Sequence, residues 1–449
     1  MENYKYLIIG GGAAGTSAAE TIRAKDSEGT VAIVSDEIHP LYSRVMLSKP
    51  NFFLGKIPFE QIWMKGLDWY DKNKISFLGG QMADELDAKK KILKLSDGRQ
   101  IGYEKLLIAT GVRTRAWNIS GSDKAGIYSL RTLEDGKAIM EVIKTAKKAV
   151  TIGGGFIGFE MADLMKLAGL ETTMILREDY FWQPTLDETS GKMIENALSK
   201  NGIKILKNTE VTEVVGGENV SGVVLKDGTK FDCDIIITGI GVVPPSLDWL
   251  QKAGVNTGRT ISAVGQMENG IKSKSPLPEG NVMSAAGRSI LADEFLETNV
   301  ADVWTAGDIA EYKDLLLEEN IQLGNWVNAR EQGRVAGLNM VASANVAGAE
   351  KTPFKFVSFY TTQGAGINIA FVGDVRPLPD RVVVKRGSPE INSYCRILVD
   401  NKNELVGATM INRTAEMSTI SKLIENNVNV SAHLAELADV NFDLKKLLM

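Results

Sequence analysis

Two stretches of the chain pass through the same order of apolar and polar positions. Residues 4–37, YKYLIIGGGAAGTSAAETIRAKDSEGTVAIVSDE, open on an apolar run, break at three glycines, continue with apolar residues at helical spacing and close on a second apolar run. Residues 148–179, KAVTIGGGFIGFEMADLMKLAGLETTMILRED, repeat that order. Each pattern predicts strand, glycine turn, helix, strand. The first helix is expected to bury Ala18, Ala19 and Ile22, and the second to carry Ile157, Met161, Leu164 and Ala168 on one stripe. Similar excursions follow: LKLSDGRQIGYEKLLIATG after the first unit and VVLKDGTKFDCDIIITGIG after the second. In both, an Asp-Gly pair (Asp97-Gly98, Asp227-Gly228) joins two strand-like runs, and a buried run ends in glycine.

A βαβ unit with a β excursion, present twice, predicts an α/β chain with two related nucleotide-binding domains rather than a solenoid. From Lys351 the pattern changes. FKFVSFY, INIAFVGDV, RVVVKRG, CRILVD and LVGATMI read as strands, and helical spacing follows from Glu416, which predicts a third, α+β domain. Residues 259–288 are rich in Gly, Ser, Pro and Met and weakly periodic, so they read as a long insert, a functional or docking loop or a plain connection.

Composition narrows the function. Hydrophobic residues at 44% and charged residues at 24% suit a globular chain, and a net charge of −5 gives no support to nucleic-acid binding. Cys233 and Cys395 form no CxxC or CxxxxC pair, which argues against a disulfide framework, a zinc site and an internal dithiol. His39 and His433 are too few for a histidine metal site. No apolar run approaches a membrane span, and the first strand-like run begins at Tyr4, so a cytoplasmic protein is expected.

The two glycine triplets carry the chemistry. Gly10, Gly12 and Gly15, and again Gly153, Gly155 and Gly158, follow G-x-G-x-x-G between a strand and a helix. The first glycine makes the turn, the second admits a pyrophosphate to the backbone, and the third lets helix and strand approach. Ala13 and Ala14 complete the first cradle, and Phe156 and Ile157 the second. The acid that reads a ribose 2′-hydroxyl normally ends the second strand. Asp36 is the better placed in the first unit, with Glu37 as the alternative. In the second unit Leu176 stands where the acid is expected and Arg177 follows. An arginine there accepts a 2′-phosphate, which tips the expectation slightly toward NADPH over NADH, although Glu178 repels the same group.

With these motifs in place, the chain resembles the two-dinucleotide-binding flavoproteins of the pyridine nucleotide–disulfide oxidoreductase superfamily. LLIATGVRTR (106–115), TNVADVWTAGDIAEY (298–312) and LGNWVNAREQGRVAGLNM (323–340) are similar to further family motifs. LYSRVMLSK (41–49) resembles the segment found in rubredoxin and ferredoxin reductases, in the flavin part of nitrite reductases and in apoptosis-inducing factor. The resemblance implies a discontinuous FAD-binding domain (1–116 and 246–345), an NAD(P)-binding domain (117–245) and a C-terminal α+β domain (346–449). It implies FAD in the first cradle, with Ala109, Thr110, Gly111 and Arg115 from the ATG motif and Gly307 and Asp308 at the ribityl chain. Arg44 is expected at the FAD pyrophosphate. Trp326 is expected at the flavin edge or, equally, in the core. NAD(P)H is expected in the second cradle, with Gly241 nearby.

The resemblance makes Lys49 and Glu160 the catalytic pair, Lys49 at the flavin N5 edge and Glu160 near the nicotinamide; the plainer alternatives are a solvated lysine and a helix-surface acid. The family's redox cysteines are missing from the cradle helix and from LYSRVMLSK, and both cysteines are expected to be structural. The expected activity is therefore NAD(P)H oxidation by FAD with electrons passed to an external acceptor, a rubredoxin- or ferredoxin-type protein or a small molecule. The alternatives are an NAD(P)H-responsive redox sensor or scaffold and a sulfur- or thiol-directed reductase. A homodimer is a further expectation.

Overall fold

The computed structural model describes residues 1–258 and 289–448, so the insert at 259–288 lies outside the described residues. The described chain divides into two compact units. One comprises 1–42, 63–113 and 243–358, the other 43–62, 114–242 and 359–449.

The first unit is built on a sheet whose parallel part runs in the order Ile75–Gly79, Val31–Ser35, Glu2–Ile9, Gln100–Ile108, Val303–Thr305. Val31–Ser35, Val303–Thr305 and the carboxyl halves of Glu2–Ile9 and Gln100–Ile108 are buried on both faces, as the near-continuous apolar runs require. The helix Ala13–Lys25 crosses over the sheet with Ala18, Ala19 and Ile22 fully buried. Chain order reverses between Glu2–Ile9 and Gln100–Ile108, so the crevice at the carboxyl ends of these two strands is where a ligand is bound in such sheets. A second long helix, Trp326–Ser343, lies on Ala13–Lys25 at glycine contacts. A Cβ on Gly333 would fall 2.0 Å from the Ala14 carbonyl oxygen, and one on Gly337 2.8 Å from that of Ala18.

The second unit repeats the plan. Lys204–Leu206, Glu171–Ile175, Lys148–Ile152, Ile235–Thr238 and Ile127–Ser129 form a parallel sheet in that order, with the helix Phe156–Leu167 as crossover. That helix is not amphipathic. Gly158 through Met165 are all buried, including the acids Glu160 and Asp163, so the expected single stripe is too narrow a description. Both Asp-Gly turns close hairpins, with Gly98 at φ +85° and Gly228 at φ +86°.

The third domain begins later than expected. Residues 346–358 belong to the first unit, because Phe354 is buried there against Tyr312 (ring centroids 5.0 Å) and its N–H bonds Glu294. Residues 43–62, expected with the first nucleotide domain, group with the second unit. The third domain's antiparallel sheet has the order Phe359–Gly364, Ile367–Gly373, Leu405–Ile411, Ser393–Val399, Val382–Ser388. No helix among the described residues is long and apolar enough to cross a membrane. No group of His, Cys, Asp and Glu among them could hold a metal ion.

Candidate active site

Both cradles are closed from behind and open in front. A Cβ on Gly10 would lie 2.1 Å from the Ala109 carbonyl oxygen, and one on Gly15 1.9 Å from that of Gly10. Gly153 and Gly158 repeat this, at 2.5 Å from Gly239 O and 1.9 Å from Gly153 O. By contrast, a Cβ on Gly12 or Gly155 would meet no protein atom within 4 Å. These two glycines are the N-caps of the cradle helices, and neither helix has a side-chain cap or an acid in its first turn. Three other helices are capped by Thr132, Asp187 and Asn325. A bare helix N-terminus leaves orphan N–H donors at the positive end of the dipole, which suits a phosphate. Beside the first cradle, the Thr110 hydroxyl is buried without a partner among the described residues. These features fit a dinucleotide at each site.

The other first-unit residues stand around that cradle. Asp36 follows the end of its strand, exposed, with Arg113 3.5 Å away, while Glu37 accepts a 2.6 Å hydrogen bond from the Tyr42 hydroxyl. Gly307 adopts φ +85° in the turn after Val303–Thr305, and a Cβ there would touch that of Ala14 at 3.3 Å. Asp308 follows, and the amide of Gln322 donates to its carbonyl at 2.8 Å. Gly111 has φ +63°. Trp326 opens the helix Trp326–Ser343 and is partly exposed, so it is not a core residue.

The register of the two sheets corrects one expectation. Ile9 pairs with Val34, and Gly10 N–H bonds Val34; Ile152 pairs with Ile175, and Gly153 N–H bonds Ile175. Counting on from these pairs, Leu176 matches Ser35 and Arg177 matches Asp36. Arg177, rather than Leu176, therefore stands at the register position of Asp36, and Leu176 is a buried core residue.

In the second unit the expected pair meets. Lys49 and Glu160 form an ion pair of 2.5 Å, with Glu160 3% exposed and Lys49 34%. Glu160 is further bonded by the hydroxyls of Ser48 and Thr362, the latter at 2.5 Å, and by that of Tyr360. A carboxylate offers about four lone-pair sites, so this one is saturated by four donors. Three of these, Ser48, Tyr360 and Thr362, were not anticipated. Burial first, and the Glu160 charge second, push the Tyr360 hydroxyl well above its ordinary pKa, so it stays a donor. Its ring lies 3.8 Å from that of Phe156, the residue after Gly155, and Phe156 also meets Trp182 edge-on at 4.1 Å. Asp163, one turn beyond Glu160, is buried, and burial raises its pKa.

Arg44 donates to the Arg131 carbonyl, and Arg115 N–H bonds Gly241 O at 3.0 Å; both residues belong to the second unit. Neither cysteine approaches Glu160 in sequence or sheet. Cys233 and Cys395 are buried in separate cores, and burial pushes both thiols up to about 12. A thiol held neutral is a poor nucleophile.

Two parallel sheets that share the order of their first four strands, each with a bare helix terminus at a glycine turn, define a double dinucleotide-binding fold. Sequence comparison gives the same answer. The signature described as pyridine nucleotide-disulphide oxidoreductase matches residues 4–271, and a reductase C-terminal signature matches 358–448. The ferredoxin–NAD(+) reductase component of the biphenyl dioxygenase system of Paraburkholderia xenovorans is 27% identical over 441 residues, covering 98% of this chain and 97% of that protein. The nitrite reductase [NAD(P)H] of Bacillus subtilis is 26% identical over 435 residues, 96% of this chain but 48% of the relative, so the chain spans about half its length. The crystal structure of the ferredoxin reductase for the CYP199A2 system from Rhodopseudomonas palustris shares the fold, with a TM-score of 0.83 at 24% identity over 98% of this chain and 99% of that one.

The chain belongs to the pyridine nucleotide-disulphide oxidoreductase family. It is an oxidoreductase, and FAD and NAD(P)H are the cofactors expected of that family.

Proposed function

We propose that the protein takes hydride from NAD(P)H onto bound FAD and passes the electrons to an external acceptor, a small ferredoxin- or rubredoxin-type iron protein. The observation that carries this reading is the Glu160 site, a carboxylate ringed by Lys49, Ser48, Tyr360 and Thr362 with no sulfur among them, while both thiols are sealed in cores. Electrons therefore have no internal disulfide to pass through. Bound FAD supplies the ring that accepts a hydride and releases electrons singly or in pairs.

In this reading the chain's residues bind, orient and balance charge. The bare N-termini at Gly12 and Gly155 hold the pyrophosphates, Asp36 takes the FAD ribose, and Thr110, Gly307 and Asp308 line the flavin nucleotide. Glu160 fixes Lys49, whose partly exposed ammonium remains able to donate to a ligand beside it. The test is anaerobic stopped-flow reduction by each nucleotide, followed by reoxidation with oxidised ferredoxin- or rubredoxin-type iron proteins; a flavin that neither nucleotide bleaches defeats it.

A Gly155→Ala substitution meets no protein atom, so the thermal midpoint is expected to stay unchanged. Only ligand competes for that space, so nucleotide affinity falls about tenfold or more, about 1.4 kcal/mol. Calorimetric titration checks this, and unchanged affinity removes Gly155 from the site.

NADPH is the nucleotide we propose, supported by Arg177 at the register position of Asp36. Arg177→Glu is expected to lower kcat/KM for NADPH by about tenfold or more, with that for NADH unchanged or raised. Equal losses with both nucleotides count against this assignment. A homodimer through the third domain is part of the proposal. Its sheet ends on Val382–Ser388, where Val382 and Val383 are exposed, and sedimentation velocity tests it.

A further inference from the structure

The helix Trp326–Ser343 carries polar side chains where a core helix has no need of them. Asn328 and Gln332 are fully buried, and the hydroxyl of Tyr312, 1% exposed, lies beside both amides. Burying an amide is costly unless it is hydrogen-bonded, and a leucine fills a similar volume without that cost. The bond that Gln332 makes shows what its amide is aimed at. Its Oε1 accepts the N–H of Gly307 at 2.6 Å. The adjoining carbonyl, that of Asp308, accepts from Gln322 at 2.8 Å. Two glutamines thus hold one turn from both sides. Gly307 also abuts Ala14 of the first cradle, and Gly333, next to Gln332, brings the helix against the carbonyl of Ala14. One helix face therefore fixes the distance between the first cradle and the Gly307–Asp308 turn.

We infer that Gln332 is a positioning residue for the flavin nucleotide, acting through the backbone of Gly307 and Asp308, with Gln322 as its counterpart. This rests on the reading that FAD occupies the first cradle. Losing the Gln332 acceptor leaves the Gly307 N–H a buried orphan, and the turn relaxes toward other acceptors. Asp308 then loses its fixed place while the sheet and the cradle helix keep theirs.

The experiment compares FAD release from the purified holoprotein and its Gln332→Leu, Gln332→Glu and Gln322→Met variants, followed by flavin fluorescence after dilution, together with the flavin midpoint potential. Gln332→Leu is expected to release FAD on the order of tenfold faster and to shift the potential. Gln332→Glu, whose carboxyl is held by burial in the neutral acid form, keeps a carbonyl acceptor and is expected to stay within about threefold of wild type. Should the leucine variant fail to fold, Gln322→Met, at the rim of the core, carries the same expectation for the Asp308 side. Release and potential unchanged in Gln332→Leu, or in Gln322→Met where only that variant folds, overturn the inference. So does a Gln332→Glu variant as fast as the leucine one. A wild-type protein that takes up no FAD overturns the FAD reading and this inference with it; a wild type that binds FAD beside unaltered variants overturns this inference alone.

Discussion

Replacing Glu160 by alanine is expected to slow the bleaching of bound flavin by NAD(P)H about a hundredfold or more, with FAD content unchanged. The size follows from what the carboxylate holds. Lys49, Ser48, Tyr360 and Thr362 all point their donors at it, and at 3% exposure no water replaces it. Alanine leaves three hydroxyls without their acceptor and one ammonium without its counter-charge. Lys49 is 34% exposed, so its charge escapes to solvent along a flexible stem rather than staying buried and unpaired. The fold survives, but the ammonium leaves the position in which it serves. Removing one preorganised donor from a site where charge develops typically costs about 10²- to 10³-fold in rate. FAD stays because its proposed cradle lies on the other unit's glycines. Glu160→Gln separates two causes. It preserves shape and one carbonyl acceptor but not the charge, so a rate near that of alanine assigns the effect to charge pairing with Lys49, and a rate near wild type assigns it to hydroxyl positioning. Single-turnover absorbance decides, and an alanine variant reduced at the wild-type rate removes Glu160 from the chemistry.

The cradles were legible because G-x-G-x-x-G is a demand on local backbone. Gly15 and Gly158 stand where any side chain would strike a carbonyl oxygen at 1.9 Å, and that constraint is written in consecutive residues. The Lys49–Glu160 meeting was not legible from spacing, since 111 residues separate the partners; only resemblance to a family suggested it. Tyr360 and Thr362 carried no local signal beyond alternate positions on one face of the strand Phe359–Gly364, and a tyrosine and a threonine in a strand are ordinary. Arg177 was displaced by one residue for a different reason. Asp36 lies 26 residues after Gly10 and Arg177 24 after Gly153, so counting along the chain cannot match them; only strand register does. The start of the third domain was misplaced because FKFV alternates like a strand, yet Phe354 and Val357 bury themselves in the first unit without joining a ladder.

The largest stability effect is expected at Arg386. Its side chain is 1% exposed in the strand Val382–Ser388, and it forks onto Glu416 at 2.8 and 3.1 Å. Its remaining donors reach the carbonyls of Leu437, Asp439, Val440 and Phe442, the last at 2.7 Å. This stretch follows and ends the short helix Leu434–Ala438, so its carbonyls lack a ladder or helix to bond them. One guanidinium substitutes for that missing secondary structure, which its planar fork of five donors allows. Glu416 feels burial, which raises its pKa, but Arg413 and Arg386 more than offset this and hold it below the usual carboxylate value. Arg386→Ala leaves Glu416 with Arg413 alone and takes the side-chain donor from the carbonyls of Leu437 and Phe442, while Val440 keeps Arg413 and Asp439 keeps the Phe442 N–H, and breaking a buried pair of this kind costs about 3–5 kcal/mol. Arg386→Lys keeps the charge but not the fork, so it is expected to recover only part of that loss. The loss is local in origin, because the strand remains paired to Ser393–Val399 through its backbone. Limited proteolysis should therefore cut the alanine variant near residues 437–442 under conditions that leave the wild type whole, and urea unfolding of the third domain should shift to lower concentration. An alanine variant as protease-resistant as wild type shows that water satisfies those carbonyls and that Arg386 is not what fastens the C-terminal segment.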